Sequence, residues 1–433
     1  MTALPFLTLL LPALLVAAEP LTLQKATEQA LAGNPRLLAA KLDALAAQRR
    51  SQQSFARRFG DLDLVGQYNH FNDNRTLRPI SKELLPITVL PFDSNQVHYG
   101  LAWQIPLLAG GSLREGDHIA RLSQGASEKL ALHTRAEIRY NARAAYRNAL
   151  TLRHATQSAL ALVKALEADM EQAHLLVKVG RWATVDAAKV DYSLQEARSR
   201  LADLQARTDT ADATLAALMG QDPPAQPFNL VDQEGFPAPI GIALTGSDAA
   251  TGATRQDLLA TQDATVMAER RKRMAQWSFT PQLSLSGSYL RNTAPSVTHS
   301  FDTHDFNVNL RIPIFDGGKR LRSLQEADAN LAAARERERA KSLEVQAQVR
   351  EAQGRLQASA VQFEAGKAQR SLGREVARVE HLKLEQGAGR VEDYLVARAQ
   401  ELAGETAYWQ GLYAYQSATD YLDFATGKVV DHD

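Results

Sequence analysis

The same structural unit occurs twice in this chain of 433 residues. Two constant offsets align the copies at these landmarks: Asn34 with Arg255, Leu62 with Leu283, Tyr68 with Tyr289, Pro106 with Pro313, Gly180 with Gly387, Asp186 with Asp393 and Gly220 with Gly427. A spacing kept over roughly 110 residues indicates an internal repeat. The two copies must therefore share one fold.

Each copy has the pattern helix, strand, loop, strand, long helix, turn, helix. We predict a first repeat at 19–220, a second at 255–427, a linker at 221–254 and a tail at 428–433. The linker is rich in Pro, Gly, Asp and Thr, which is typical of loops. The predicted elements are strands at about 61–70 and 96–106 with a helical hairpin at 112–219, then strands at about 282–290 and 304–313 with a hairpin at 319–426. The hairpin tips fall near 180–186 and 387–393, and the strand-connecting loop is longer in the first copy (71–95) than in the second (291–303).

The helices of the hairpins are unusually long. No proline interrupts the chain from about Glu115 to Val179, so a helix of roughly 65 residues could reach about 100 Å. A heptad seam runs through Val345, Val349, Ala352, Leu356, Ser359 and Phe363, and its first-copy counterpart through Ile138, Ala142, Ala145, Ala149 and Leu152. Such helices are too long for a compact domain and must pack lengthwise, which makes the fold mainly α with a small β part.

The predicted strands alternate apolar and polar residues. Leu62, Leu64 and Tyr68 share one face, and Phe306, Val308, Leu310 and Ile312 do the same in the second copy. A soluble antiparallel sheet with one wet face has this alternation too. Tyrosine and tryptophan on the apolar face favour lipid, since these residues prefer membrane interfaces. Four strands cannot close around a pore, so a membrane location requires several chains to form one barrel.

Composition excludes several classes. Lys+Arg and Asp+Glu are 49 each, so no basic surplus indicates nucleic-acid binding. The absence of cysteine rules out disulfides, Cys-based metal sites and a lipid anchor on cysteine. Leu4 to Val16 is almost wholly apolar and small residues precede Glu19, which predicts a signal peptide at 1–18 although its start lacks Lys and Arg. No other segment is apolar for long enough to be a membrane-spanning helix.

Four motifs occur in a fixed order. They are Leu21-Thr22-Leu23 with Asn34-Pro35, the turns Pro106–Gly111 and Pro313–Gly318, the hairpin tips at Val179-Gly180 and Gly387, and the closing Tyr408, Tyr413, Tyr421-Leu422 and Gly427. Together they resemble the TolC-like outer-membrane efflux proteins over nearly the whole chain after the signal.

This resemblance implies a homotrimer whose chains form a 12-stranded β-barrel in the outer membrane and an α-helical barrel in the periplasm of a Gram-negative bacterium. It implies passive conduction of substrates in efflux or type I secretion, docking to a periplasmic adaptor linked to an inner-membrane pump, no cofactor and no catalysis. The resemblance does not identify the transported substrate. The rival interpretation is an exported periplasmic coiled-coil scaffold or adhesion protein without a pore, which leaves the amphipathic strands without a role.

The motifs also supply candidate site residues. For the strand-to-helix turns these are Pro106, Gly110, Gly111, Pro313, Asp316, Gly317 and Gly318, whose glycines permit positive φ and whose prolines end or bulge a strand. The tips expected to contact an adaptor comprise Val179, Gly180, Arg181, Thr184, Asp186, Gly387, Arg390 and Val391. Glu392 and Asp393 are candidates for a pore constriction. Family members carry a second aspartate where this chain has Val396, so we expect a weaker or differently selective constriction.

Three alternatives concern charged residues. Asp186 and Asp393 lie near helix starts, where carboxylates also serve as caps. His299, Asp302, His304 and Asp305 could bind a metal, but a hydrated loop explains them better, and we predict no metal site. The basic run Arg270 to Arg273 stands just before a strand, which favours lipid headgroups over nucleic acid.

Overall fold

The computed structural model describes residues 20–77, 91–109, 111–232 and 252–428. The predicted signal peptide, residues 78–90 of the long loop, Gly110, residues 233–251 of the linker and all but the first residue of the tail lie outside these ranges. The helices are α1 Leu23–Gly33, α2 Pro35–Ala56, α3 Ser112–Lys178, α4 Thr184–Leu218, α5 Gln256–Trp277, α6 Lys319–Glu385 and α7 Val391–Thr426. The strands are β1 Asp61–Thr76, β2 Phe92–Ala109, β3 Gln282–Thr293 and β4 Phe301–Arg311. The fold is mainly helical with one small antiparallel sheet, as the sequence predicts.

The two copies have matching elements. α2 and α5 each have 22 residues, α3 and α6 each have 67, and α4 and α7 have 35 and 36. Gly180 and Gly387 have φ of 75° and 72°, and Gly220 and Gly427 have 72° and 71°. A helix commonly stops at a residue with left-handed φ, which glycine adopts without strain. Each pair of glycines therefore ends equivalent helices.

β1 and β2 extend past the predicted strands. Arg75 pairs with Asp93 and Thr76 with Phe92 after a register shift that begins at His70. Residues 71–76 lack apolar alternation, so periodicity reads them as loop, whereas backbone pairing needs no alternation. β2 also passes through Pro106, and its pairing with β3 shifts register between Pro106 and Leu108. A bulge there fits a residue that has no backbone donor.

The sheet has the strand order β1-β2-β3-β4, with β1 and β4 at its edges. Trp103, Gly287 and Phe306 lie opposite one another on the apolar face, and the Trp103 and Phe306 ring centroids are 5.8 Å apart. A Cβ on Gly287 would lie 2.7 Å from the Trp103 ring, so glycine makes room for the indole. The apolar face itself remains uncovered, with Leu64 82% exposed.

The chain divides into two compact units. The first, here the sheet unit, comprises residues 40–131 and 256–344 and holds the whole sheet. Within it α5 lies between α3 and α6. Lys129 pairs with Asp263 on the α3 side, and Lys272 lies 2.6 Å from Asp328 on the α6 side. In the described part of the chain, no helix is both long and apolar enough to cross a membrane.

The second, here the helical unit, comprises the described residues of 20–39, 132–255 and 345–428. The whole predicted seam of α6 is buried, from Val345 at 1% exposure to Phe363 at 6%. In α3, Ile138, Ala142 and Ala149 are fully buried, while Tyr146 takes a core position that the heptad pattern missed. The heptad prediction is confirmed at all six positions of α6, whereas in α3 Ala145 and Leu152 of the predicted seam are only half-buried.

Within this unit, α6 and α7 touch through glycine. A Cβ added to Gly366 would lie 2.6 Å from the Ala407 carbonyl oxygen, and one on Gly404 would lie 2.7 Å from that of Gln369. One on Gly411 would lie 2.8 Å from the Phe363 Cα. Since real Cβ contacts under 3.0 Å essentially do not occur, these positions admit only hydrogen.

Candidate functional site at the hairpin tips

Both hairpin tips are built by the same backbone turn. After α3, the Gly180 amide donates to Val177 and the Arg181 amide to Leu176, at 3.0 and 2.9 Å. After α6, the Gly387 amide donates to Leu384 and the Ala388 amide to Lys383, at the same two distances. These bonds satisfy carbonyls that a helix end leaves open. Duplicated sequence therefore gives duplicated tips.

The structure brings the two tips together. Ala173, Ala187, Val190 and Val391 form a buried cluster, against which Trp182 and Leu384 pack. Val391 is only 7% exposed, so it holds the tips together. By contrast, the side chains of Val179, Arg181, Thr184 and Arg390 are exposed.

An ion pair joins the tips beside this cluster. Lys189 Nζ lies 2.8 Å from a Glu392 carboxylate oxygen and 3.5 Å from Asp186. The hydrogen bond from Lys189 lowers the pKa of Glu392 below its usual range, and the same bond raises the pKa of Lys189. Both groups stay charged across the neutral range, which keeps the attraction intact.

A second link lies further from the turn. The Tyr394 hydroxyl donates to Asp169 at 2.8 Å and accepts from Arg398 Nε at 3.1 Å. Burial, together with the Asp169 charge, raises the pKa of Tyr394 to about 12. The phenol therefore keeps its proton and its bond from α7 to α3 at any physiological pH. Asp169 and Tyr394 also line a cavity of about 340 Å³ between the tips.

The two repeat-related aspartates differ in their surroundings. Asp186 is half-buried beside Lys189, whereas Asp393 is exposed and has no ion-pair partner within the described ranges. Neither helix start has a side-chain cap: Ala183 and Arg390 occupy the cap positions of α4 and α7. Both carboxylates lie in the first turn, where the helix dipole favours negative charge. The Asp393 carboxylate is thus open to solvent.

The strand-to-helix turns are structural in both copies. Gly111 has φ of 72° and a Cβ there would lie 2.9 Å from the Trp277 ring. Gly317 and Gly318 have φ of 68° and 86°. Asp316 accepts from the backbone amides of Gly318 and Arg320, both at 3.1 Å. Pro313 follows the end of β4 at Arg311. Gly110 lies outside the described residues.

Sequence reasoning missed Lys189, Asp169, Tyr394 and Trp182. The contact between Lys189 and Glu392 joins residues in different repeats, and no local spacing reveals it. One signal existed: the repeat alignment places Tyr394 opposite Ala187, so the second copy has a polar aromatic residue where the first has a methyl group.

We expect the tip ion pair to weaken in acid. Glu392 has a lowered pKa, so its stabilisation is complete above its unfolded pKa of about 4.3 and is lost as the pH falls through the lower folded value. Spin labels at V179C and Q386C would report this by electron–electron distance measurement, since the chain has no other cysteine. The distance distribution should stay constant between about pH 5 and 9 and broaden in stronger acid.

Glu392→Gln should give the broad distribution at every pH. Glu375→Gln breaks an exposed pair with Arg378 within α6 and serves as the matched control, which should behave like the parent. A Glu392→Gln protein with the parent's narrow distribution at neutral pH would show that the ion pair does not hold the tips.

The sequence matches the model of the outer membrane efflux protein family over residues 26–221 and 250–428. No curated protein sequence matches the chain.

Several solved structures share the fold. A membrane protein from Pseudomonas aeruginosa is 20% identical, with a TM-score of 0.79 and coverage of 94% of this chain and 93% of that one. The outer membrane protein VceC from Vibrio cholerae is 18% identical, with a TM-score of 0.76 and coverage of 94% of this chain and 96% of that one. The Campylobacter jejuni CmeC outer membrane channel is 17% identical, with a TM-score of 0.80 and coverage of 94% of this chain and 85% of that one. At these identities the likeness establishes the fold alone. Because the family model matches well over half of the sequence, the chain belongs to the outer membrane efflux protein family.

Proposed function

We propose that the chain is one subunit of a homotrimeric channel tunnel in the outer membrane of a Gram-negative bacterium. It conducts substrates passively from a periplasmic adaptor, coupled to an inner-membrane pump, to the exterior, in efflux or type I secretion. Membership of an outer-membrane efflux family supports this assignment. Three chains would combine their four-stranded sheets into a 12-stranded β-barrel and their hairpins into an α-helical barrel.

The proposal rests on two properties of the sheet, its unpaired edges and its uncovered apolar face. Within the described residues, β1 pairs only with β2 and β4 only with β3, which leaves two open edges. The apolar face is also uncovered, with Leu62 at 69% and Leu310 at 63% exposure. Open edges and bare apolar surface are tolerated together only if other chains extend the sheet and lipid covers it. Pairing of β4 with β1 of the next copy satisfies the first requirement, and insertion into the outer membrane satisfies the second.

Cysteine cross-linking tests that pairing. Double variants with one cysteine in β1, scanned over 62–68, and one in β4, scanned over 304–310, should form covalent trimers on oxidation in membranes for at least one register. Leu285→Cys with Val308→Cys is the control, because these residues are partners within one chain and should give monomers only. Monomers at every register, or a protein extracted without detergent, would favour the scaffold without a pore.

The hairpin tips are proposed to form the periplasmic mouth and to contact the adaptor. The side chains of Val179, Arg181, Thr184 and Arg390 offer exposed surface at both turns. An apolar groove of about 410 Å³ adjoins them and is lined by Val185, Tyr192 and Val396, with Tyr192 72% exposed. Mixed apolar and charged surface of this kind suits a helical partner.

We expect Asp393→Ala to reduce cation block of the channel. Three copies of an exposed, unpaired carboxylate would form a ring that attracts multivalent cations. In planar bilayers the half-blocking concentration of a divalent cation should rise about tenfold. Glu364→Ala removes an exposed carboxylate far from the tip in α6 and should leave it unchanged. Equal block and conductance in Asp393→Ala and the parent would refute a constricting role.

A further inference from the structure

The sheet unit contains a cleft of about 720 Å³ where the helices meet the strands. This junction cleft is bordered by the start of α3, by one side of α5 and by the first turns of α6. Its polar and charged lining includes Ser112, Arg271, Gln282, Glu326, Asn330 and Arg337. None of these residues belongs to the tip site or to the turn motifs.

The strand face of Gln282 indicates which side of the helical layer the cleft occupies. The cleft is bordered by residues of α3, α5 and α6. Gln282 pairs with Ala109 at its edge and shares the strand face of Ser284 and Ser286, the polar face of the sheet. If that face lines the tunnel, as the proposed function requires, the cleft opens toward the tunnel.

The basic run before β3 is divided between different environments. Arg270 pairs with Glu115 at 3.3 Å and Lys272 with Asp328 at 2.6 Å. Arg271 instead lines the cleft, where it has no ion-pair partner within the described ranges. Arg273 lies about 200° around the helix from Arg271, on the opposite side of α5. One position of this four-residue run thus lines the cleft without an ion-pair partner among the described residues.

The cleft has a net positive lining. Arg337 on α6 also has no ion-pair partner among the described residues, whereas nearby Arg335 pairs with Glu269 at 3.2 Å. Glu326 is the one acidic residue among the described residues that line the cleft. The lining therefore carries two guanidinium groups and one carboxylate in each chain. Guanidinium groups are strong partners for carboxylate and sulfonate-like anions.

The rest of the lining is largely apolar. Met274 and Trp277 are 36% and 45% exposed and border the cleft together with alanines of α5 and α6. We propose that the junction cleft is a transit site for amphipathic organic anions, in which the arginines bind the acid group and the Trp277 side receives the apolar body. This inference rests on the proposed function and names a substrate class for it. Water in the tunnel screens the charges, so binding is weak, as conduction requires.

Blockade by an anionic probe tests the site. Purified protein is reconstituted in planar bilayers, and anilinonaphthalene sulfonate is added as the probe, with a quaternary ammonium of similar size for comparison. In R271Q/R337Q the half-blocking concentration of the sulfonate should rise at least about tenfold. R271K/R337K should keep most of the block because it keeps both charges. R273Q removes a charge that has no ion-pair partner among the described residues, on the other side of α5, and should change the half-blocking concentration by less than about twofold.

The possible failures separate two hypotheses. If the parent protein forms no channels, the proposed function is overturned, and the inference with it. If channels open normally but R271Q/R337Q is blocked as easily as the parent, or R273Q loses block equally, the anion site alone is overturned. Native mass spectrometry adds a third outcome: a phospholipid bound to the parent and lost from R271Q/R337Q would place the cleft against lipid and overturn the transit site.

Discussion

Asp420→Ala should lower the free energy of unfolding by about 3–5 kcal/mol, the largest single effect expected in this chain. Asp420 in α7 is 10% exposed at its side chain and pairs with Arg147 in α3, which is 2% exposed. Burial lowers the pKa of Arg147, and the Asp420 charge opposes that shift. The pair is made by Arg147 Nη1, and Arg147 Nε is buried with no hydrogen-bond partner in the described structure. Removing the carboxylate therefore leaves a buried charge uncompensated.

A double variant separates the loss of the ion pair from the loss of side-chain packing. Arg147→Met combined with Asp420→Leu removes both charges and should cost clearly less than Asp420→Ala alone. Arg143, the other partner of Asp420, is 30% exposed and can rehydrate. Unfolding in guanidinium, followed by helical circular dichroism at fixed protein and detergent concentration, measures the differences. A single variant as stable as the double variant would show that the pair is not buried in the folded protein.

Gly404→Ala should destabilise the protein by about 1–3 kcal/mol, although alanine is the better helix former by about 1 kcal/mol. The added methyl group would lie 2.7 Å from the backbone oxygen of Gln369, and backbone atoms cannot move aside as a flexible side chain can. Steric overlap therefore outweighs helix propensity at this position. Gly366→Ala, which meets Ala407 across the same interface, should act in the same direction.

Gly354→Ala in α6 is the matched control. No heavy atom lies within 4 Å of a Cβ at that position, so the substitution should stabilise the protein by up to about 1 kcal/mol. Gly404→Ala and Gly354→Ala should thus shift the denaturant midpoint of unfolding in opposite directions. Stabilisation by Gly404→Ala would mean that α6 and α7 lie further apart than the structure shows.

The architecture was predictable where one periodicity extends far along the chain. A proline-free stretch and a heptad seam predicted the two 67-residue helices; α6 buries its whole seam, and α3 buries Ile138, Ala142 and Ala149 of its seam. Repetition strengthened the prediction, since each copy is a second reading of the same pattern. The strand ends were less predictable. Phe71 to Thr76 lacks regular apolar alternation, yet Arg75 and Thr76 pair with β2 beyond a register shift, because a hydrogen-bond ladder depends on the neighbouring strand rather than on side-chain alternation.

The candidate site was predictable only in its glycines. A left-handed φ is a local requirement, so Gly180 and Gly387 could be read from the sequence. The pairs Lys189–Glu392 and Asp169–Tyr394 depend on how separate helices pack, and no spacing encodes them. The basic run is a similar case: its four charges look alike in sequence, but helix rotation sends Arg270, Arg271 and Lys272 to three different environments.

The glycine contacts between α6 and α7 have a mechanical consequence. Where two helices meet backbone to backbone, sliding one past the other by a single residue would place a side chain where only hydrogen fits, at Gly366, Gly404 and Gly411 alike. The second hairpin therefore has one permitted axial alignment along this stretch. A force applied at its turn is transmitted along both helices as through a single rod, and any displacement of the tip must come from the rod swinging as a whole.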